Sequence, residues 1–411
     1  MKPRNPMTAK IDKFAGIDNR TPIDRLRPRE RGAGVPVRDA VNVDLSAAGT
    51  FQTRAGFTPA APGQKCRSMF PVDDTGALVA VGAKLMHFDG EELAEVADLA
   101  TPFSSVAYTK TPLGPVWSDG VHMGLVRNWV NEPLLPPDPN PVPSVSASTD
   151  GALQAGSYGV SFAAVMPDGR KSAMTVPAYV DVPANGRIQI DTADQLYPLA
   201  VYVTAPNGEI FYKEGQVQSG ALSIGLLNQD GEPASYEVTQ MLPAGRVLGY
   251  HDGRLLSASG QFLYYSSPYS LGLHKPASDF IPFPDAIRIV ASLDVGVLIV
   301  ATASAHWRVA GSLPQATMTQ IAPYGAVDGT MVGIPNSTGS MWFTPRGPVA
   351  ASQDGSIRLL QDEQIQFPRA DTGAAVFRET NGMRQFIAAL SKPVPSGAAV
   401  ARSFMDARVI E

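Results

Sequence analysis

The chain has 411 residues, 44% of them hydrophobic, so it can bury a sizeable core; its one cysteine, Cys66, excludes an internal disulfide framework. Glycine (38) and proline (36) exceed ordinary usage, which disfavours a helical protein and favours many short strands joined by tight turns. The net charge of −5 hides an asymmetry: residues 1–70 hold 13 Lys/Arg against 6 Asp/Glu, and the remainder is acidic, a pattern that points to a partner or a self-contact.

No apolar stretch flanked by charge occupies the first 30 residues, so no secretory signal is expected. The longest apolar run, 295–305, falls far short of the roughly 18–20 residues that span a bilayer as a helix. The expectation is a soluble chain without a membrane anchor, assembled in a reducing cytosol.

Residues 1–35 are predicted to form an extended basic arm. Arg20, Arg25, Arg27, Arg29 and Arg31 lie within twelve residues of little apolar periodicity. Two readings are open: a solvated arm, or an arm that docks across a subunit boundary on an acidic neighbour. The stretch lacks the interleaved aromatics of a nucleic-acid module. Next, 36–45 and 50–57 both alternate and are predicted to pair as a hairpin, placed to close a ring of sheets.

A strand–turn–strand pattern then begins six times, near Gly76, Gly114, Gly253, Val295, Ser340 and Arg384. The first copy reads GALVAVGAKLMHFDG and the fourth VGVLIVATASAHWRVAG. Successive starts are 38, 139, 42, 45 and 44 residues apart, and the long gap contains about 96 residues of different character. A period of roughly 40–45 with paired strands is that of β-propeller blades.

The interrupting segment follows a proline-rich joint, 133–143. Within 147–242, short strands are predicted at 186–190, 200–204, 209–212, 221–224 and 236–239, and Asp168-Gly169 marks a tight turn. Seven strands in such a length argue a fibronectin- or immunoglobulin-like β-sandwich. The predicted fold is therefore all-β: a propeller of six to seven blades (36–140 and 243–411), an inserted sandwich (147–242) and the arm (1–35).

Little here points to catalysis. His87, His122, His251, His274 and His306 sit in no metal-binding spacing, and no nucleophile-elbow, P-loop or dinucleotide fingerprint is present. The turn at Ser352–Ile357 begins like the Asp-boxes of propeller sialidases, but it misplaces its glycine and lacks the closing Thr-Trp, and Trp117–Gly120 is likewise a bare turn. Type I turns use Asp-Gly for backbone reasons alone. The strand aromatics Tyr264, Tyr265, Trp307, Trp342 and Phe343 suit core packing; a carbohydrate-stacking platform is the alternative. The expectation is no catalytic residue, no cofactor and no metal site.

Two stretches carry a resemblance. Phe14-Ala-Gly-Ile-Asp-Asn-Arg20, Arg38-Asp-Ala-Val-Asn-Val-Asp44 and Thr53-Arg-Ala-Gly-Phe57 together look like the opening of tailed-phage virion proteins. Gly245–Pro268, with its GRLLSASGQFLYYSSP phrase, and Val300–Gly311 are similar to later phrases of the same proteins. The chain thus resembles the nozzle, or tail tubular, proteins of short-tailed bacteriophages. That resemblance implies a propeller-based homohexameric ring between a portal-proximal adaptor and a distal tail or fibre protein. DNA would leave through it without specific binding, in a virion assembled in the host cytoplasm, with Arg20, Arg25, Arg27, Arg29 and Arg31 as the candidate inter-subunit contact. A receptor- or glycan-binding tail-tip or fibre-attachment protein is the alternative, and a propeller glycoside hydrolase the remoter one.

Overall fold

Glycine-rich turns every few residues leave no room for helices, and the architecture follows. The computed structural model describes residues 13–27, 34–41, 43–45, 50–53, 66–228, 231–360, 364–380, 383–391 and 402–408. Among them the single helical element is a one-turn 3-10 helix, Ile23–Arg25; all other regular structure is β. No helix of the described residues is long and apolar enough to cross a membrane.

The chain divides into two compact units: residues 66–284 without 90–92, and 285–411 with 1–65 and 90–92. The first unit holds three four-stranded antiparallel sheets, the first two simple meanders and the third interrupted before its last strand by Leu273–His274, which pairs with Gln240–Met241. They are Cys66–Asp73, Gly76–Val81, Lys84–Phe88 and Leu93–Asp98; Ala107–Thr111, Gly114–Ser118, Met123–Arg127 and Val130–Pro133; and Val247–His251, Arg254–Ser259, Phe262–Tyr265 and Phe280–Pro282. The second unit holds two more, Ile287–Asp294 to Thr317–Ala322 and Val332–Gly333 to Ile357–Leu359, then a three-stranded sheet of Thr372–Thr380, Met383–Ser391 and Arg402–Arg408.

All six sequence repeats fall on the second and third strands of these sheets. Middle strands are covered on both faces, so they read as nearly continuous apolar runs. Val297–Thr302 and Ser340–Thr344 are buried almost throughout, whereas the outermost strand Thr317–Ala322 exposes its first four residues.

Within each unit, successive sheets pack face to face because alternate side chains point to opposite faces. In the Ala107–Pro133 sheet, Trp117 and Val126 join Leu78, Ala80 and Leu85 of the preceding sheet. Their neighbours Val116 and Leu125 join Leu248 and Leu255 of the following one. In the Val332–Leu359 sheet, Trp342 and Val349 meet Ile289 and Ile299, while Met341 and Phe343 meet Phe386, Ala388 and Leu390.

Between the second and third sheets of the first unit, the chain builds a sandwich. A three-stranded sheet (Ser144–Leu153, Gly186–Thr192, Gly220–Ile224) faces a five-stranded one (Gly156–Ala164, Ala178–Val182, Leu199–Thr204, Ile210–Val217, Pro233–Ser235). Their shared core is Tyr158, Val160, Phe162, Ile188, Ile190, Val201 and Val203, each at most 1% exposed. Burying one such side chain contributes about 1.5–3 kcal/mol.

Two local expectations differ from the structure. The predicted strand at 236–239 is absent; strands lie on either side, at Pro233–Ser235 and Gln240–Met241, because Tyr236 turns inward onto Phe211. Among the described residues, the predicted 36–45/50–57 hairpin is paired only as Val43–Leu45 with Phe51–Thr53. Val35–Val37 pairs in parallel with Phe14–Ile17 instead, and residues 54–57 lie outside the described residues.

Candidate assembly segment

The residues expected to carry an inter-subunit contact begin just after a short strand, FAGI, that offers two large apolar side chains, so both packing and polar contacts position it. Phe14–Ile17 runs parallel to Val35–Val37, and Phe14 packs on Phe51 with ring centroids 4.1 Å apart. Ile17 rests on the core cluster around Phe343 and Phe386. The Asp18 amide donates to Val37 O at 2.8 Å, and its carboxylate accepts from both the amide and the hydroxyl of Thr21 at 2.9 Å. Asn19 uses its whole side-chain amide: Nδ2 donates to Gln366 O (3.1 Å) and Oδ1 accepts from Gln366 N (2.7 Å). The backbone amides of Asn19 and Arg20 both donate to Gln364 O.

The stretch read as an extended arm is therefore pinned, over Phe14–Arg20, to residues 35–37 and 364–366 of its own unit. The side chain of Arg20, at the end of the pin, and those of Arg25 and Arg27 beyond it are exposed and make no ion pair among the described residues. Arg29 and Arg31 lie outside the described residues. The structure thus brings Arg20, Arg25 and Arg27 together on one short exposed segment around the Ile23–Arg25 turn.

The five histidines stand apart, each in a local role. His306 is wholly buried: Nδ1 faces Tyr324 O at 2.6 Å and Nε2 accepts from Trp342 Nε1 at 2.8 Å. His274 Nδ1 meets Gln240 O at 3.1 Å, and its ring edge meets Tyr264. His251 is buried 3.4 Å from Asp252, and burial pushes its pKa down against that carboxylate. His87 stacks on Trp129 at 3.6 Å. His122 is half exposed, 3.4 Å from Asp119. No three His, Cys, Asp or Glu residues are gathered for a metal among the described residues.

The two Asp-Gly turns use their carboxylates internally. Burial works against the charge of Asp119, yet backbone amides of Ala100, His122 and Val121 donate to it and hold its pKa below the usual range. Asp354 accepts from the amide and hydroxyl of Ser356. Each turn glycine lies under an arginine stem, Gly120 under Arg246 and Gly355 under Arg308.

Sequence reading missed a charge cluster in the first unit. Arg170, 8% exposed, donates to Glu132 and Asp168 (both 2.8 Å) and to the carbonyls of Pro133 and Leu134. Arg127 donates to the same two carboxylates. The cluster ties the edge strand Val130–Pro133 to the sandwich turn at Asp168–Arg170. Its members lie up to 43 residues apart, so no local pattern betrays it.

No family model matches the chain, and no curated protein matches it. Among solved structures, it is similar to BBS1N in complex with ARL6DN (15% identity, 76% of this chain and 96% of that one, TM-score 0.20). It is also similar to PorZ, a surface component of the type-IX secretion system of Porphyromonas gingivalis (11%, 88% and 55%, TM-score 0.25). A third is the AfRom2 CNH domain (8%, 84% and 96%, TM-score 0.26). TM-scores of 0.20–0.26 carry no argument about the chain.

Proposed function

We propose that the chain is a structural component of a bacteriophage tail, a homo-oligomeric and hexameric nozzle ring of propeller architecture that forms part of the DNA-ejection conduit. One observation carries the reading: an acidic body bears a pinned segment whose exposed guanidiniums, Arg20, Arg25 and Arg27, have no partner within the described chain. Held in place, such charges suit an acidic surface on a neighbouring copy or on a portal-proximal adaptor. The serial face-to-face sheets and the structural use of the histidines and Asp-Gly carboxylates fit a mechanical role. An acidic lumen would let DNA slide, because phosphates gain affinity from basic surfaces and none from acidic ones. The chain would then act in the virion, between the adaptor and a distal tail or fibre protein, with no enzymatic step.

The test is particle mass by light scattering, for the pure protein and with its adaptor, at low and moderate salt. The expected result is a ring-sized particle that weakens with salt. Deleting residues 1–35, or replacing Arg20, Arg25, Arg27, Arg29 and Arg31 by Ser, should leave the body folded and impair assembly. A monomer under every condition, or hydrolysis of a host polysaccharide by the pure protein, would sink the reading.

A further inference from the structure

The edge of a β-sheet presents unpaired N–H and C=O groups, and proteins that must not associate guard such edges with charge or proline. Most edges here follow that rule. Of the fourth strands of the four-stranded sheets, Leu93–Asp98 carries Glu95 and Asp98, Val130–Pro133 carries Glu132 and Pro133, Phe280–Pro282 ends in proline, and Ile357–Leu359 carries Arg358. Thr317–Ala322, sequence TMTQIA, carries neither charge nor proline and exposes Thr317, Met318, Thr319 and Gln320.

The sandwich repeats the contrast. Three of its four edge strands are guarded: Ser144–Leu153 by Asp150, Ala178–Val182 by Asp181 and Pro233–Ser235 by its proline. The fourth, Gly220–Ile224, sequence GALSI, is unguarded and exposes Gly220, Ala221 and Ser223. Beyond their own sheets, neither strand makes a backbone hydrogen bond to another described residue.

We propose that these two edges pair between copies: Thr317–Ala322 of one copy adds to the three-stranded sheet of the next at Gly220–Ile224. Both edges are five or six residues long and neutral, so main-chain hydrogen bonds, not charge, make the contact. The occupant is a second copy because the chain itself supplies both halves, one on each compact unit. Two different surfaces meeting head to tail form a heterologous interface, which builds a ring where its rotation closes, rather than a two-fold dimer. The inference rests on the homo-oligomeric reading above and names its contact.

The test places guards on each edge in turn in the full chain. Thr317→Glu with Thr319→Glu puts a carboxylate opposite Arg308; Ala221→Lys with Ser223→Lys puts an ammonium opposite Asp191. These local pairs suit the folded sheets, which circular dichroism checks. Each guarded variant should need at least tenfold more protein to assemble than the native chain, by light scattering. The four-fold variant, with glutamates facing lysines across every interface, should recover most of that loss. As a second measurement, amides of 220–224 and 317–322 in the native chain should exchange more slowly in the assembled particle than in dilute protein. Native assembly that ignores both guards, or unchanged exchange at both edges, overturns the pairing and leaves the ring reading standing. Loss with the glutamates alone means that Thr317–Ala322 pairs with itself, which also overturns it. A native chain that never assembles overturns pairing and ring together.

Discussion

Trp342 Nε1 donates a hydrogen bond to His306 Nε2 across 2.8 Å of fully buried interior, joining two successive sheets. Since Nε2 accepts, Nδ1 carries the proton and donates it to Tyr324 O. Both ring nitrogens are thus committed to the neutral form. Desolvation pushes the His306 pKa down to about 4, against the opposing pull of the Tyr324 carbonyl. The folded pKa is below the unfolded one, so this contribution to stability is complete above about pH 6.5 and is lost as pH falls towards 4.

Acid titration should therefore show a loss approaching roughly 3 kcal/mol across that window. His306→Asn should flatten it, and Trp342→Phe should cost about 1–3 kcal/mol at neutral pH by leaving Nε2 unpaired. Urea melts of the three proteins at pH 7, 5.5 and 4 check this; identical pH slopes for native and His306→Asn would refute it.

Arg170 should behave as a buried hub. Arg170→Ala removes the donor for two carbonyls and leaves Glu132 and Asp168 to Arg127 alone. Because both carboxylates are more than a quarter exposed, the loss should be about 2 kcal/mol, below that of a fully buried pair. Arg170→Lys should recover only part, since an ammonium cannot reproduce the guanidinium fork. Thermal melts of both variants measure it.

Glu214 sits at the bulge where the register between Leu199–Thr204 and Ile210–Val217 slips. Its Oε2 accepts from Asn228 N, while Oε1 is buried without a hydrogen-bond partner. Burial raises its pKa despite the Asn228 bond. A raised folded pKa means stability that is present at low pH and lost as pH rises through it. Glu214→Gln should be more stable than the native chain at pH 7, with the advantage vanishing near pH 4. A variant less stable at pH 7 would contradict this.

Asn19 should control access to the basic segment. Asn19→Ala deletes both Gln366 bonds and should cost only about 1 kcal/mol of overall stability, because the site is exposed. Trypsin should cut after Arg20 or Arg25 several-fold faster in the variant; Arg27 is followed by Pro28 and is not a trypsin site. Equal cleavage rates would mean that the pin does not hold the segment.

The sequence by itself determined the all-β class and the spacing at which paired apolar strands recur. Middle strands are buried on both faces, so 76–88, 297–310 and 340–351 announce themselves as apolar runs interrupted by turn residues. Outer strands such as Thr317–Ala322 bury little and leave no such mark. The short Pro233–Ser235 and Gln240–Met241 strands were equally illegible, because two or three residues carry no period. Only tertiary structure decided where Asn19, Arg170 and His306 find their partners, 347, 38 and 36 residues away in the chain. Hydrogen bonds and ion pairs over such separations depend on which sheets lie side by side, and that choice is made by burial of the faces between them, not by any local pattern.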